Sequence, residues 1–291
     1  MIDFLRYRYL CSAFSVGIIV AFIAGYWYQG GFNYSVEFTG GTQVLLHFDQ
    51  PVAADTVRNA LQESGHEWKG VSVAEFGGND IRVRVQNFSD DIEGLANSLK
   101  NDVAVHLPQD THVTVAQSDS VGASVGDTLA SNSVKAIIIA LLLMLLYIGL
   151  RFQFAYAVGA IVATAHDALV IATIFVLFRW EISMDVIGAI LATLGYSIND
   201  TIIIFARIRE NLAKNTTMSA YEIINLSINQ TLSRTILTSF ATALVVVALL
   251  AVGGEALKNL SIALLIGIVF GTYSSIYIAS PVMLWFNRSA R

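Results

Sequence analysis

Two rhythms of apolar and polar residues divide the chain. In six stretches apolar residues run almost unbroken for about 20 positions, enough to cross a bilayer core roughly 30 Å thick at 1.5 Å per helical residue. They predict membrane helices at residues 10–28, 134–150, 155–178, 186–206, 231–252 and 260–286, the last shortened or bent at Pro281. The first ends in Tyr26, Trp27 and Tyr28, an interfacial aromatic belt. As a cleavable signal peptide it is too long, and no A-x-A-like site follows it. Residues 219–229 set Tyr221, Ile223, Ile224, Leu226 and Ile228 among polar residues and read as a short amphipathic segment along the interface.

Between the first two spans the period shortens. Residues 43–48, 71–76, 81–85 and 112–116 read as strands, and Gly77-Gly78-Asn79-Asp80 between the middle two is a hairpin signal. Residues 51–63 have helical spacing at Val52, Val57 and Leu61, with Pro51 near the start. Residues 89–99 read as a second helix capped by Ser89 or Asp90. The order βαββαβ matches a ferredoxin-like, two-layer α+β domain. The expected organisation is therefore 1–30 (a short head and the first span), 31–130 (the α+β outer domain) and 131–291 (the other five spans).

Composition agrees with a membrane protein. Of 291 residues 55% are hydrophobic and 13% charged, against about 25% charged in soluble domains, and the mean hydropathy is +0.62. The net charge of −5 hides two parts. Residues 31–130 hold 14 acids and 5 bases, −9, and the remainder is +4. The short loops on the side of the amino end carry Arg6, Arg8, Arg151, Arg207, Arg209, Lys214, Arg288 and Arg291, the opposite side only Arg179 and Lys258. That bias places both termini in the cytoplasm and 31–130 outside, in the periplasm of a Gram-negative cell. The single cysteine, Cys11, excludes an internal disulfide, and its context lacks a lipoprotein cleavage site.

Candidate chemistry lies inside the spans. Asp200 sits in the fourth run, seven residues before Arg207. A carboxylate at that depth costs about 2.5–3.5 kcal/mol. Thr193, Tyr196 and Ser197 share a polar stripe with it. The fifth helix has its own stripe, Ser227, Gln230, Thr231, Arg234, Thr238 and Thr242, with Arg234 its only charge. A buried acid facing a buried base fits either a proton relay or a static ion pair that fixes packing. His166-Asp167, mid-run in the third span, fits a secondary proton site or an interhelical hydrogen bond. Asp185 beside Ser183 is explained by helix capping. Gly267 and Gly271 form G-x-x-x-G, a close-packing signal within the chain or between subunits. The candidate proton-pathway set is Asp200, Arg234, Asp167, Asn199, Ser197 and Thr238. No G-x-x-x-x-G-K-[ST], H-E-x-x-H or C-x-x-C occurs, so neither an enzyme, a metal nor a cofactor is expected. Asp167 with Asp200 as a protease pair is disfavoured, since no glycine-rich loop precedes Asp200 and an arginine stripe faces it.

Seven motifs, in order, resemble one family. They are F-T-G-G-T at 38–42, Tyr147-Ile148 with Arg151-Phe152, His166-Asp167, G-Y-S-I-N-D at 195–200, R-I-R-E-N at 207–211, S-I-N-Q-T-L-S-R-T at 227–235 and G-T-Y-S-S-I-Y at 271–277. Together they are similar to the SecF side of the SecD/SecF family, which assists the bacterial Sec export channel and belongs to the RND superfamily. Glu37, Ala123 and Ala206 depart from the family pattern, where Asp, Pro and an acid are common. The resemblance implies a six-helix half-RND membrane protein of the inner membrane. It implies a SecD partner supplying a second intramembrane aspartate, the SecYEG channel, emerging preprotein, protons and lipid as partners, and no nucleic acid. Protons crossing the SecD–SecF interface would drive the outer domains, with Asp200 as carrier, Arg234 as its switchable partner and Asp167 as auxiliary. A solute-exporting RND half and a non-conducting scaffold are the rival expectations.

Overall fold

The computed structural model describes residues 2–89, 91–107, 111–215 and 217–289. In chain order the principal elements are α1 (Arg8–Gln29), β1 (Gly41–Phe48), α2 (Ala54–Glu63), β2 (Ser72–Gly77), β3 (Asp80–Val85), α3 (Ile92–Val105), β4 (Val113–Val121), α4 (Ala123–Arg151), α5 (Phe154–Leu177), α6 (Met184–Lys214), α7 (Ala220–Val252), α8 (Gly254–Ser274), a π-helical segment (Ser275–Ala279) and α9 (Ser280–Ser289). Two compact units result, Tyr34–Ser133 on one hand and Met1–Asn33 with Val134–Arg291 on the other.

In the first unit the strand order is β2-β3-β1-β4, and every neighbouring pair is antiparallel. Alternation builds its core. Val44, Leu46 and Phe48 of β1 and Ile81, Val83 and Val85 of β3 point to one face, where Val57 and Leu61 of α2 and Ala96, Leu99 and Val103 of α3 cover them. Each such side chain contributes about 1.5–3 kcal/mol on burial. The hairpin turns on Gly78, whose φ of 60° is the positive angle a two-residue II′ turn needs at its first position. β4 continues past residue 116 to Val121, because β1 offers it a full edge, with a bulge between Leu45 and Leu46. α3 starts at Ile92, capped by Asp91, which accepts from the Gly94 amide at 2.9 Å, rather than by Ser89. Asp90 lies outside the described residues. The F-T-G-G-T motif is a backbone crossing. Gly40 and Gly41 have φ of 71° and 113°. A Cβ on Gly40 would sit 2.7 Å from the Ala123 Cα, and one on Gly41 would overlap the Val85 carbonyl. Thr42 then ties the crossing, with Oγ1 2.8 Å from the Asn87 carbonyl.

The second unit is helical. Among the described residues six helices are long and apolar enough to cross a membrane: Phe4–Gln29, Ala123–Arg151, Phe154–Leu177, Met184–Lys214, Ala220–Val252 and Gly254–Phe286. α5, α6 and the last span form the packed centre, while α1, α4 and α7 leave most of their apolar surface outward. α1 ends at Gly30 in the left-handed region, with the Gly31 amide bonded to the Tyr26 carbonyl at 2.9 Å. Arg179 holds that end. Its Nη1 donates to the carbonyls of Gln29 at 3.0 Å and Gly31 at 2.8 Å, a cation at a helix carboxyl end.

Four expectations change or are resolved here. Residues 219–229 are no separate interfacial segment but the first turns of α7. A capping box of Ser219 and Glu222 starts the helix, and Ile223, Ile224 and Ile228 are buried against the bundle. Helices α4 and α6 exceed their apolar runs, because the polar residues that extend them include no proline and continue the hydrogen-bond ladder. Gly267 and Gly271 pack within the chain: Cβ atoms there would overlap Thr193 Cγ2 and come within 3.0 Å of Ser197 Cβ, both on α6. The disturbance foreseen at Pro281 falls just before it, as a π turn in which Ser280 Oγ donates to the Ser275 carbonyl at 3.1 Å.

Candidate functional site

Among the described residues two carboxylates are buried in the helical unit. Asp167 of α5 is 0% exposed and Asp200 of α6 is 1% exposed. Their surroundings differ. Asp167 is gripped: Ser197 Oγ of α6 donates to its Oδ2 at 2.5 Å and Ser274 Oγ of α8 donates to the same oxygen at 2.8 Å. His166 Nδ1 stands 3.4 Å from Oδ1, and His166 Nε2 is buried without a partner among the described residues. Three helices thus meet on one carboxyl group, and a hydroxyl donor to it is worth about 1.5–3 kcal/mol when the group is ionised. Asp200 is held loosely. Its Oδ2 is buried with no hydrogen-bond partner among the described residues, and the polar groups facing the carboxylate are Ser239 and, at longer range, Arg234.

The expected buried ion pair is absent among the described residues. Arg234 is exposed on α7, whereas its neighbour Thr235 is buried at 1%. The reason is angular. α7 packs through Ile224, Ser227, Ile228, Thr231 and Thr235, and residues one step apart point about 100° apart on a helix. Arg234 lines an open cleft of about 320 Å³ between α6 and α7, with Ala206, Arg207, Glu210, Gln230 and Thr231. Asn199 and Thr238 also face outward, and Thr238 Oγ1 is satisfied by its own helix, 3.0 Å from the Arg234 carbonyl. Of the six sequence candidates the structure brings Ser197 and Asp167 into contact. It buries Asp200 three residues from Ser197 and leaves Arg234, Asn199 and Thr238 on the outer surface.

Several polar residues escaped sequence reasoning. Ser239 Oγ of α7 lies 2.7 Å from Thr272 Oγ1 of α8 and accepts from Tyr196 at 3.3 Å. Tyr273 donates to the Cys11 carbonyl at 2.9 Å and sits 3.3 Å from Ser15 Oγ, both on α1. Their signal was present: Thr272-Tyr273-Ser274 is a polar triplet inside an apolar helix. At the base of α6, Asn211 Nδ2 donates to Ser227 Oγ and Gln230 Oε1, each at 2.8 Å, locking α6 to α7. Among the described residues no three His, Cys, Asp or Glu side chains gather where they could hold a metal.

These features define a multi-pass membrane protein with two intramembrane carboxylates and an α+β unit. The family model "Protein export membrane protein SecD/SecF, C-terminal" matches residues 103–289, and "SecD/SecF GG Motif" matches 28–52. The SecF translocase subunit of Pseudomonas aeruginosa is 40% identical over 283 residues, 96% of this chain and 90% of that protein. That of Escherichia coli O157:H7 is 36% identical, over 97% of this chain and 87% of that protein. The SecDF subunit of Thermus thermophilus is 38% identical over 97% of this chain, which spans only 38% of that longer protein. The crystal structure of Thermus thermophilus SecDF, a translocon-associated membrane protein, superposes with a TM-score of 0.88 at 34% identity, over 99% of this chain and 39% of that one. SecDF in a super-membrane-facing form gives 0.71 at 35% identity, over 100% of this chain and 39% of that one. The chain belongs to the SecD/SecF family of protein export membrane proteins.

Proposed function

We propose that the chain acts as the SecF-type subunit of a preprotein translocase, coupling the proton motive force to late steps of export across the bacterial inner membrane. The observation that carries this is Asp200. A carboxylate buried at membrane depth with a free oxygen is unstable as a lone charge, by about 2.5–3.5 kcal/mol. A proton removes that cost, and so does Arg234 brought inward from the cleft. Two states of one site follow, with Arg234 as the switchable partner and Asp167 as auxiliary. One charge moved through 100 mV supplies about 2.3 kcal/mol, enough to bias a two-state domain motion.

The partner is a SecD-type chain packed on the outward helix faces, with a SecYEG-type channel and emerging preprotein beyond it. The Lys/Arg bias supports cytoplasmic termini and residues 31–130 in the periplasm. That domain is ferredoxin-like in this reading, supported by its βαββαβ order and its β2-β3-β1-β4 antiparallel sheet. No covalent chemistry and no cofactor enter.

The test is Asp200→Asn in membrane vesicles, with gradient-driven export of a reporter preprotein measured after the SecD-type partner has been shown to co-purify. The expected result is loss of the gradient-dependent fraction from an intact complex. Unchanged export makes the carboxylate structural and the chain a scaffold.

A further inference from the structure

Three consecutive residues of α8 bind three different helices. Thr272 meets Ser239 of α7 at 2.7 Å, Tyr273 donates to the Cys11 carbonyl of α1 at 2.9 Å, and Ser274 donates to Asp167 of α5 at 2.8 Å. Successive helical residues project about 100° apart, so the triplet sets the rotation of α8 about its own axis. The side of α8 at Gly267 and Gly271 lies against α6 with no room for a Cβ at Gly267. Directly after the triplet α8 leaves α geometry for the π segment Ser275–Ala279. A π turn holds one residue more than an α turn, and such turns recur at functional sites. The polar grip on α8 and the irregular turn that would let it rotate are therefore adjacent.

We propose that Ser274 is a positioning residue for proton coupling. With Ser197 it tethers α8 to the ionised Asp167 carboxylate, and a proton on Asp167 releases the tether so that α8 turns at Ser275–Ala279. The inference rests on the proton-coupled reading above. Its chemistry is acceptor capacity. An ionised carboxylate only accepts, and its Oδ2 takes both hydroxyls. A proton arriving on Oδ2 occupies one of those positions; Ser274 can then turn its single hydroxyl proton to the Gly271 carbonyl, 3.1 Å away, and what remains to Asp167 is a weaker neutral hydrogen bond in place of a charge-assisted one. A proton arriving on Oδ1 faces His166 Nδ1, 3.4 Å away, and removes the charge that strengthened both serine bonds. Beside an ionised Oδ1 the contact needs the ring proton on Nδ1, since a bare nitrogen there would face another acceptor, while Nε2 has no partner among the described residues. The titratable groups around Asp167 are His166 on its own helix, Tyr273 on α8, whose ring centroid is 6.2 Å from that of His166, and Asp200 further along α6. No Lys or Arg pairs with Asp167 among the described residues.

The experiment is a spin-label distance between α5 and α8 in the reconstituted complex with its SecD-type partner. Labels go on Val162→Cys and Val269→Cys, both outward positions, in a Cys11→Ser background. Asp167→Asn imitates the protonated acid, and Ser274→Ala removes the tether while keeping the acid. Both are expected to shift or broaden the distance by about 5 Å, since the label rides on a helix about 10–12 Å across. Ser274→Thr, which keeps the hydroxyl, is expected to restore the parent distance. Parent-like distances in both Asp167→Asn and Ser274→Ala overturn the proposal. Should Ser274→Ala fail to assemble, the Asp167→Asn distance decides alone in the same way. Asp200→Asn export on the same preparations separates the two levels. Export retained sinks the coupling reading and this inference with it. Export lost with parent-like distances sinks the inference alone.

Discussion

At the scale of single residues, burial and charge part company. Asp200 and Asp167 are visible in the sequence because a carboxylate inside an apolar run has no ordinary explanation. Arg234 is equally visible as a charge, yet its direction is set by which face of α7 packs. It is exposed, and among the described residues no ion pair joins it to Asp200. Arg234→Ala is therefore expected to leave detergent thermal stability within about 0.5 kcal/mol of the parent, as at other exposed sites. A loss of 3 kcal/mol or more would instead indicate a buried pair broken at one end. The grip on Asp167 was not legible in full. Ser197 lies beside Asp200 in sequence, but Ser274 is 107 residues from Asp167, and only close helix packing brings it there.

At the scale of elements, the contact of α6 with α8 governs how the site is assembled. Its signal, G-x-x-x-G, is legible, but the partner is not, because small residues favour close approach to any neighbouring helix. Gly267 and Gly195 make a matched comparison. A Cβ on Gly267 overlaps Thr193, whereas nothing lies within 4 Å of one on Gly195. Gly267→Ala is expected to cost about 1–3 kcal/mol by overpacking. Gly195→Ala is expected to add about 0.5–1 kcal/mol through helix propensity. Equilibrium unfolding in detergent distinguishes them, and equal effects would contradict the assigned packing. The extent of α7 follows a similar logic. Its capping box at Ser219 and Glu222 can be read from sequence, but the polar residues after it suggested a surface segment. Asn225, Asn229 and Ser227 are polar because they bond other backbone and side-chain groups: Asn225 and Asn229 both donate to the Ile2 carbonyl, at 3.0 and 2.7 Å, and Ser227 accepts from Asn211.

At the scale of the molecule, the two units have separate cores. Residues 34–133 close around Val44, Leu46, Phe48, Val83 and Leu99 with their own sheet and helices. A fragment of those residues is expected to fold alone and to unfold in one transition with an enthalpy of about 60–80 kcal/mol, the usual value near 100 residues. Scanning calorimetry decides, and a fragment without a cooperative transition would show that the core needs the rest of the chain. Strand alternation made this unit readable, because period two assigns each side chain to a face without knowledge of the neighbours.

What the sequence determined by itself is whatever depends on a residue and its near neighbours: six spans from run length, an α+β unit from period and turn glycines, two intramembrane acids from their cost in hydrocarbon. Motif order was enough to suggest the family. What only the tertiary structure decided is direction and partnership. A membrane helix that is apolar all round carries little information about which side faces protein, because lipid and packed side chains accept the same residues. That is why Arg234 turned outward against expectation, why G-x-x-x-G found α6, and why Asp167, rather than Asp200, became the carboxylate on which three helices converge.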